Sequence, residues 1–146
     1  MILPNDYKEF IALLNGSGVK YVLVGAHALS YYGKPRTTGD IDFFIEKSSE
    51  NIARLVMVMV EFGFVPGTFP AEAFEHDCVQ VGFAPFRIDI LTSLSGVDFD
   101  EVAATANYDV VDDLKVPIIS KELLIKNKRA TGRSQDLTDV AQLEKR

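Results

Sequence analysis

Two stretches decide the fold: Val22-Leu23-Val24-Gly25-Ala26 and, 13 residues further on, Asp40-Ile41-Asp42-Phe43. The first is a short apolar, β-branched run that ends in two small residues. It predicts a buried strand over residues 20–25 running through a tight turn into a helix over 26–32. The second opens a strand over 40–46. Residues two apart on a strand point the same way, so Asp40 and Asp42 share one face while Ile41 and Phe43 enter the core. Two like charges about 4 Å apart repel by roughly 4 kcal/mol at an effective dielectric of 20. A proton, a cation or water has to offset that, and an oxygen-only donor set favours Mg²⁺ or Mn²⁺ over Zn²⁺. The plainer alternative is a pair of turn residues before a strand.

Outward from this centre, helices and strands alternate. Tyr7, Phe10, Ile11 and Leu14 have helical spacing, with Asp6 and Glu9 placed as a capping box, and Gly16 and Gly18 close the helix. Residues 34–39 read as a loop. Ile52, Leu55, Val56, Met59 and Val60 predict a helix over 49–62 ended by Gly63, although 56–60 also fits a strand. Residues 64–65 and 78–83 read as strands. In 86–91 the residues Phe86, Ile88 and Ile90 take one face, Arg87 and Asp89 the other, so Asp89 repeats the geometry of a carboxylate on an apolar strand. If the two strands are neighbours, three carboxylates meet, and two metals about 3.5–4 Å apart would clamp the attacking and leaving oxygens of a phosphoryl transfer. One or two helical turns over 98–103 and strands over 108–111 and 116–119 follow. Ser120 caps a helix to Thr131, closed by a left-handed Gly132, and Ser134 caps a last helix with Asp136 in its first turn. The expected fold class is α+β: a mixed β-sheet flanked by helices, with two helices at the C-terminus.

The whole chain, 146 residues, is short enough for a single domain over 1–146. With 47% hydrophobic and 25% charged residues it is neither disordered nor collagen-like. Cys78 is the only cysteine, which excludes a disulfide scaffold and points to a reducing compartment. The longest apolar run, residues 55–60, is far short of a membrane span, and the N-terminus lacks the basic flank and apolar core of a signal peptide. The expected location is cytoplasmic. Net charge is −6, divided into −9 over residues 1–120 and +3 over 121–146. An acidic body with a basic tail is unlike a general DNA binder. It suits clustered carboxylates that hold metal and a few cations that hold phosphate; a solvated basic helix is the alternative.

Taken together, Gly25-Ala26, the spacer, Asp40-Ile41-Asp42-Phe43 and Asp89 in Arg87-Ile88-Asp89-Ile90-Leu91 resemble the nucleotidyltransferase superfamily, the DNA polymerase β-like fold. Within it, Arg36-x-Thr38-x-Asp40-Ile41-Asp42 is similar to the bacterial group that includes abortive-infection type IV toxins. That group also ends in a Lys-x-Ala-x-Gly-Arg-x-x-Asp-x-x-Asp stretch, here residues 128–139. The resemblance covers residues 20 to about 94 and 120–143. Ala26 stands where the family has Gly or Ser, which keeps the turn small but removes a hydroxyl.

The resemblance implies an activity and a set of roles. A nucleoside monophosphate would pass from a nucleoside triphosphate to an acceptor hydroxyl on tRNA or protein, with a toxin–antitoxin module and its partner protein as one setting. Asp40, Asp42 and Asp89 would hold Mg²⁺ or Mn²⁺, with Asp89 also orienting or deprotonating the acceptor. Gly25 and Ala26 would cradle the triphosphate, and Arg36 and Thr38 would contact phosphate. Lys128 and Arg133 would reach the nucleotide, with Asp136 orienting one of them. The competing expectation is a catalytically inactive nucleotide- or partner-binding module on the same fold. His27, Tyr31, Tyr32 and Cys78 are expected to be packing residues, and His76 with Asp77 a loop entering a strand.

Overall fold

The computed structural model describes residues 1, 3–33, 39–83 and 86–145. Six strands form one mixed sheet: β1 (Tyr21–Val24), β2 (Asp40–Ile45), β3 (Cys78–Phe83), β4 (Phe86–Leu91), β5 (Asn107–Val111) and β6 (Leu114–Ile118), in the order β3-β4-β2-β1-β6-β5. The pairs β1–β2, β3–β4 and β5–β6 are antiparallel, whereas β1–β6 and β2–β4 are parallel. Among the described residues six α-helices accompany them: α1 (Asn5–Gly16), α2 (Gly25–Tyr31), α3 (Ser49–Phe62), α4 (Phe99–Ala104), α5 (Lys121–Thr131) and α6 (Ser134–Glu144). This is the α+β architecture expected, with the two C-terminal helices packed on each other.

Alternation along β2 sets the two faces of the sheet. Phe43 meets Phe10 of α1 at 5.5 Å between ring centroids and Tyr21 at 5.6 Å. Phe44, pointing the other way, meets Phe99 of α4 at 5.4 Å. Asp40 and Asp42 share the parity of Phe44, so the acids open on the α4 side while Ile41, Phe43 and Ile45 are sealed under α1 and α3. Residues 56–60 are helical. Val58 and Met59 are buried and Met57 is exposed, the one-sided pattern of a helix packed on a sheet.

Several boundaries differ from the sequence expectation. Asp6 and Glu9 form no capping box: α1 begins at Asn5, and the Pro4 carbonyl accepts from the Tyr7 and Lys8 amides at 3.1 and 3.2 Å. A capping box does occur at α4, where Asp98 accepts from the Glu101 amide at 2.8 Å and Glu101 accepts from the Asp98 amide at 3.0 Å. Residues 64–65 are not a strand; Phe64 packs its ring on Phe62 and Phe69 instead. Gly132 takes the left-handed closing position at φ 67, but one extended residue, Arg133, then caps α6, so Ser134 lies inside the helix. The loop expected over 34–39 falls outside the described residues except for Gly39.

Asn51 in α3 ties the sheet together from beneath. Its Oδ1 accepts from the Lys20 amide at 2.7 Å, and its Nδ2 donates to the carbonyls of Lys20 and Glu46 at 3.0 and 2.8 Å. These bonds join the start of β1 to the end of β2, and the residue is buried. Asn51→Ala strands those backbone groups and is expected to cost about 2–4 kcal/mol, read as a lowered urea midpoint with an unchanged m-value.

Candidate active site

The site is assembled by strand register. In the parallel β2–β4 ladder Asp40 lies opposite Arg87 and Asp42 opposite Asp89. In the antiparallel β1–β2 ladder Asp42 lies opposite Val24, the last residue before Gly25. All three acids therefore sit on one face at one end of the sheet, beside the β1–α2 turn. Arg87 lies among them. Its Nη2 donates to Asp40 Oδ2 at 2.7 Å and to Asp89 Oδ2 at 3.2 Å, and its Nε to Asp89 Oδ1 at 3.0 Å.

Gly25 accounts for the close fit of the turn. Its φ is +70, and a Cβ placed on it would overlap Asp42 Oδ2 and come within 2.9 Å of Asp42 Cγ. Only glycine lets the backbone lie against that carboxyl. Burial, then the charge of Asp89 and a hydrogen bond with it, and then the charge of Asp40 push the Asp42 carboxyl up to about 7, against the pull of Arg87. Asp42 therefore keeps its proton up to near neutral pH, hydrogen-bonded to Asp89.

A cleft of about 290 Å³ adjoins the pair, lined by Gly25, Asp42, Ser93, Asn127, Lys128 and Arg133 among others. The C-terminal helices reach it through a charged network. Lys128 is buried, with Nζ 3.0 Å from Asp139 Oδ2 and 3.6 Å from Asp136 Oδ1. Arg133 is largely exposed, with Nε 2.7 Å from Asp136 Oδ2. Burial raises the Asp136 carboxyl, but hydrogen bonds from Arg133 and Thr131 and the charges of Arg133 and Lys128 outweigh it and hold the group below its ordinary value. Asp136 pairs with both cations, not with one.

The structure thus brings Gly25, Asp42, Lys128 and Arg133 to one cleft, with Asp40 and Asp89 beside Asp42. Ala26 follows Gly25 in the first turn of α2. Arg36 and Thr38 lie outside the described residues. Sequence reasoning gave no role to Arg87, although its alternation with Asp89 was visible; only the parallel register places it against Asp40. It also missed Tyr7, whose hydroxyl donates to the Gly39 carbonyl and, at 3.2 Å, to that of Arg87, clasping the starts of β2 and β4. Asp139 was visible only as the last residue of the C-terminal motif.

His27 is buried edge-on against Tyr7, 5.9 Å between centroids, and burial lowers its pKa, opposed by a hydrogen bond to the Asp40 backbone. Cys78 is not a packing residue; it is exposed on edge strand β3, where partial desolvation of the thiol and then the charges of Asp89 and Asp42 raise its pKa against the pull of Arg87. Tyr31 is exposed and Tyr32 half-buried, its hydroxyl donating to the Ile119 carbonyl at 2.7 Å. A larger recess, about 660 Å³, opens at the other end of β1 by Lys20, Tyr21, Phe99 and Tyr108, away from Asp40, Asp42 and Asp89.

The donor set fits a hard divalent cation: oxygen only, with a half-buried Asp42 beside a buried Asp89, and a proton on Asp42 that such an ion would displace. With the Arg87 guanidinium between Asp40 and Asp89, no trio of His, Cys, Asp or Glu among the described residues is arranged to hold an ion as it stands.

A mixed six-stranded sheet flanked by helices, with two helices at the C-terminus, is a nucleotidyltransferase fold. The sequence profile described as "Nucleotidyl transferase of unknown function (DUF2204)" matches residues 4–146, and the chain belongs to that family. Three solved structures share its fold. A nucleotidyltransferase candidate from Thermotoga maritima (TM1012) has TM-score 0.65 and 16% identity, covering 96% of this chain and 91% of its own. The lincosamide antibiotic adenylyltransferase LnuA, bound to lincomycin, has TM-score 0.62 and 15% identity, covering 98% and 97%. An antigenic nucleotidyltransferase-like protein from Paracoccidioides brasiliensis has TM-score 0.55 and 15% identity, covering 94% and 74%. No curated protein sequence matches at a significant level.

Two outcomes follow from the acid pair. An Asp with a raised pKa keeps its proton in the folded state while the unfolded chain loses it near pH 4. Stability in EDTA therefore falls as pH rises from about 4 to about 7. Asn at position 42 does not titrate and still donates to Asp89. Asp42→Asn should match wild type near pH 4 and melt about 3–6 °C higher at pH 8, roughly 1–2 kcal/mol, by calorimetry. Gly25→Ala should cost at least about 1–2 kcal/mol for the left-handed backbone alone. By pushing Asp42 aside, it should also flatten that pH dependence.

Proposed function

We propose that this chain transfers a nucleoside monophosphate from a nucleoside triphosphate to an acceptor hydroxyl, with Mg²⁺ or Mn²⁺, in the cytoplasm. One observation carries the reading: Asp42 and Asp89 face each other across a parallel ladder while the Gly25 backbone lies against Asp42. Membership of the nucleotidyl transferase family supports the reaction class.

Asp40, Asp42 and Asp89 would hold the metal, which when bound neutralises phosphate charge and polarises the α-phosphorus. Gly25 and Ala26 present backbone without bulk to the triphosphate. Lys128, fixed by Asp136 and Asp139, and Arg133, steered by Asp136, line the cleft from the other wall. Arg36 and Thr38 keep the phosphate-contact role that their motif implies. Asp89 orients the acceptor hydroxyl and takes its proton as the oxygen–phosphorus bond forms. The bond from the α-phosphorus to the bridging oxygen breaks, and pyrophosphate leaves. Positioning and charge neutralisation supply most of the rate.

The C-terminal motif supports a finer reading, a toxin–antitoxin module that modifies tRNA or a protein and is held by a partner protein. LnuA, similar in fold, binds lincomycin, so a small-molecule hydroxyl is a further acceptor class. No helix among the described residues is long and apolar enough to cross a membrane.

A second reading is a nucleotide- or partner-binding module without turnover. The ion pairs that already bind Arg87 to Asp40 and Asp89 favour it, as does Ala26.

Purified protein with Mg²⁺ and α-labelled nucleoside triphosphates should transfer label to an RNA, protein or small-molecule fraction of a cell extract. Pyrophosphate release should accompany transfer, and Asp42→Ala should lower both by roughly 10³-fold or more. Equal transfer by Asp42→Ala would remove the mechanism. Calorimetric nucleotide binding without pyrophosphate in any extract would establish the second reading.

A further inference from the structure

The acid cluster already holds a cation. Arg87 spans Asp40 and Asp89 with three hydrogen bonds of 2.7–3.2 Å, two of them a fork onto Asp89. A guanidinium stays charged at any pH the protein meets, so it cannot yield by losing a proton; it yields only by moving. Its backbone is pinned, since the amide donates to the Gly39 carbonyl at 3.0 Å and the carbonyl accepts from Tyr7 at 3.2 Å. Its side chain is 31% exposed, so the head has solvent to swing into. The oxygens it holds on Asp40 and Asp89 belong to the donor set assigned above to the divalent ion.

We infer that Arg87 is the resident counter-ion of the acid cluster and competes with the divalent metal for Asp40 and Asp89. This rests on the metal-site reading above. In the metal-free protein Arg87 offsets the repulsion that β2–β4 pairing creates. Metal entry requires the guanidinium to release at least one carboxylate, so affinity for the bare ion is low. The triphosphate oxygens of a metal–nucleotide complex supply the extra ligands that complete the exchange. Arg87 is therefore a positioning residue that sets metal affinity and makes it depend on nucleotide.

The sign of one effect separates this from an ordinary structural role. An arginine that only holds the acids in place would, when removed, weaken metal binding; a competitor, when removed, strengthens it. Mn²⁺ binding without nucleotide, followed by loss of the free-ion electron paramagnetic resonance signal, should be at least tenfold tighter in Arg87→Gln than in wild type. Arg87→Lys, which cannot bridge both carboxylates, should lie between them. Adding Asp42→Asn to Arg87→Gln should abolish the binding. Equal or weaker Mn²⁺ binding by a natively folded Arg87→Gln overturns the inference. If Arg87→Gln does not fold, Arg87→Lys decides by the same comparison. If wild type binds Mn²⁺ as well as the variants do, only the role of Arg87 falls. If none of the proteins binds Mn²⁺ with or without nucleoside triphosphate, the metal-site reading falls with it.

Discussion

The parallel pairing of β2 with β4 is the constraint on which the rest depends. It sets Asp42 against Asp89 and Asp40 against Arg87 in successive rows of one ladder. Paired carboxylates at a sheet end are electrostatically unfavourable, and the fold meets that in three ways at once. Asp42 keeps a proton up to near neutral pH, a guanidinium bridges Asp40 and Asp89, and the polar end is left partly open to solvent. The opposite face of the same strands provides the stability that tolerates this. Ile41, Phe43, Ile45, Ile88 and Ile90 are buried there. A strand buried on one face and charged at the end of the other keeps its register, because a slip of one residue would bury the acids and expose Phe43.

The neighbouring parts follow from that register. β1 lies antiparallel to β2 so that Val24 pairs with Asp42, which brings the chain's turn into α2 against the carboxyl. The turn needs both a positive φ and no Cβ, and Gly25 meets both demands with one residue. On the other side α5 and α6 close the cleft. Their left-handed Gly132 turn projects Arg133 outward, while Lys128 stays inside on Asp139. Tyr7 of α1 clasps Gly39, just before β2, and Arg87 near the start of β4. Three separate segments thus converge on a site whose acids come from only two strands.

Much of this was legible in the sequence because it is local. The alternation of Asp-Ile-Asp and Arg-Ile-Asp, the small-residue turn and the Ser120 cap each depend on neighbours within a few positions. What was not legible is what depends on partners far along the chain. Arg87 and Asp40 are 47 residues apart, and Tyr7 and Arg87 are 80 apart. Nothing in either segment announces the parallel pairing that joins them. The helix start at Asn5 was misplaced because the Pro4 carbonyl, not a polar side chain, accepts the first amides. Cys78 was misread because apolar neighbours do not reveal that β3 is an edge strand.

The charge of the site argues for how a triphosphate would have to arrive. The +3 of the C-terminal segment suggests a positive wall, yet among the described residues the cations that line the cleft, Lys128 and Arg133, are already paired. Lys128 is paired with Asp139 and Asp136, and Arg133 with Asp136. Beside the cleft Arg87 is paired with Asp40 and Asp89. Among the described residues Lys128, Arg133 and Arg87 thus stand against five carboxylates, Asp40, Asp42, Asp89, Asp136 and Asp139, and the proton on Asp42 offsets only one of these. A bare nucleoside triphosphate, itself strongly anionic, meets little net attraction here. The same anion carrying a divalent ion meets carboxylates that gain by binding it, and cations that its phosphates then draw away from their acids. On the proposed function, the acid pairs would therefore filter the form of the substrate: they would admit the metal complex and discriminate against the free anion.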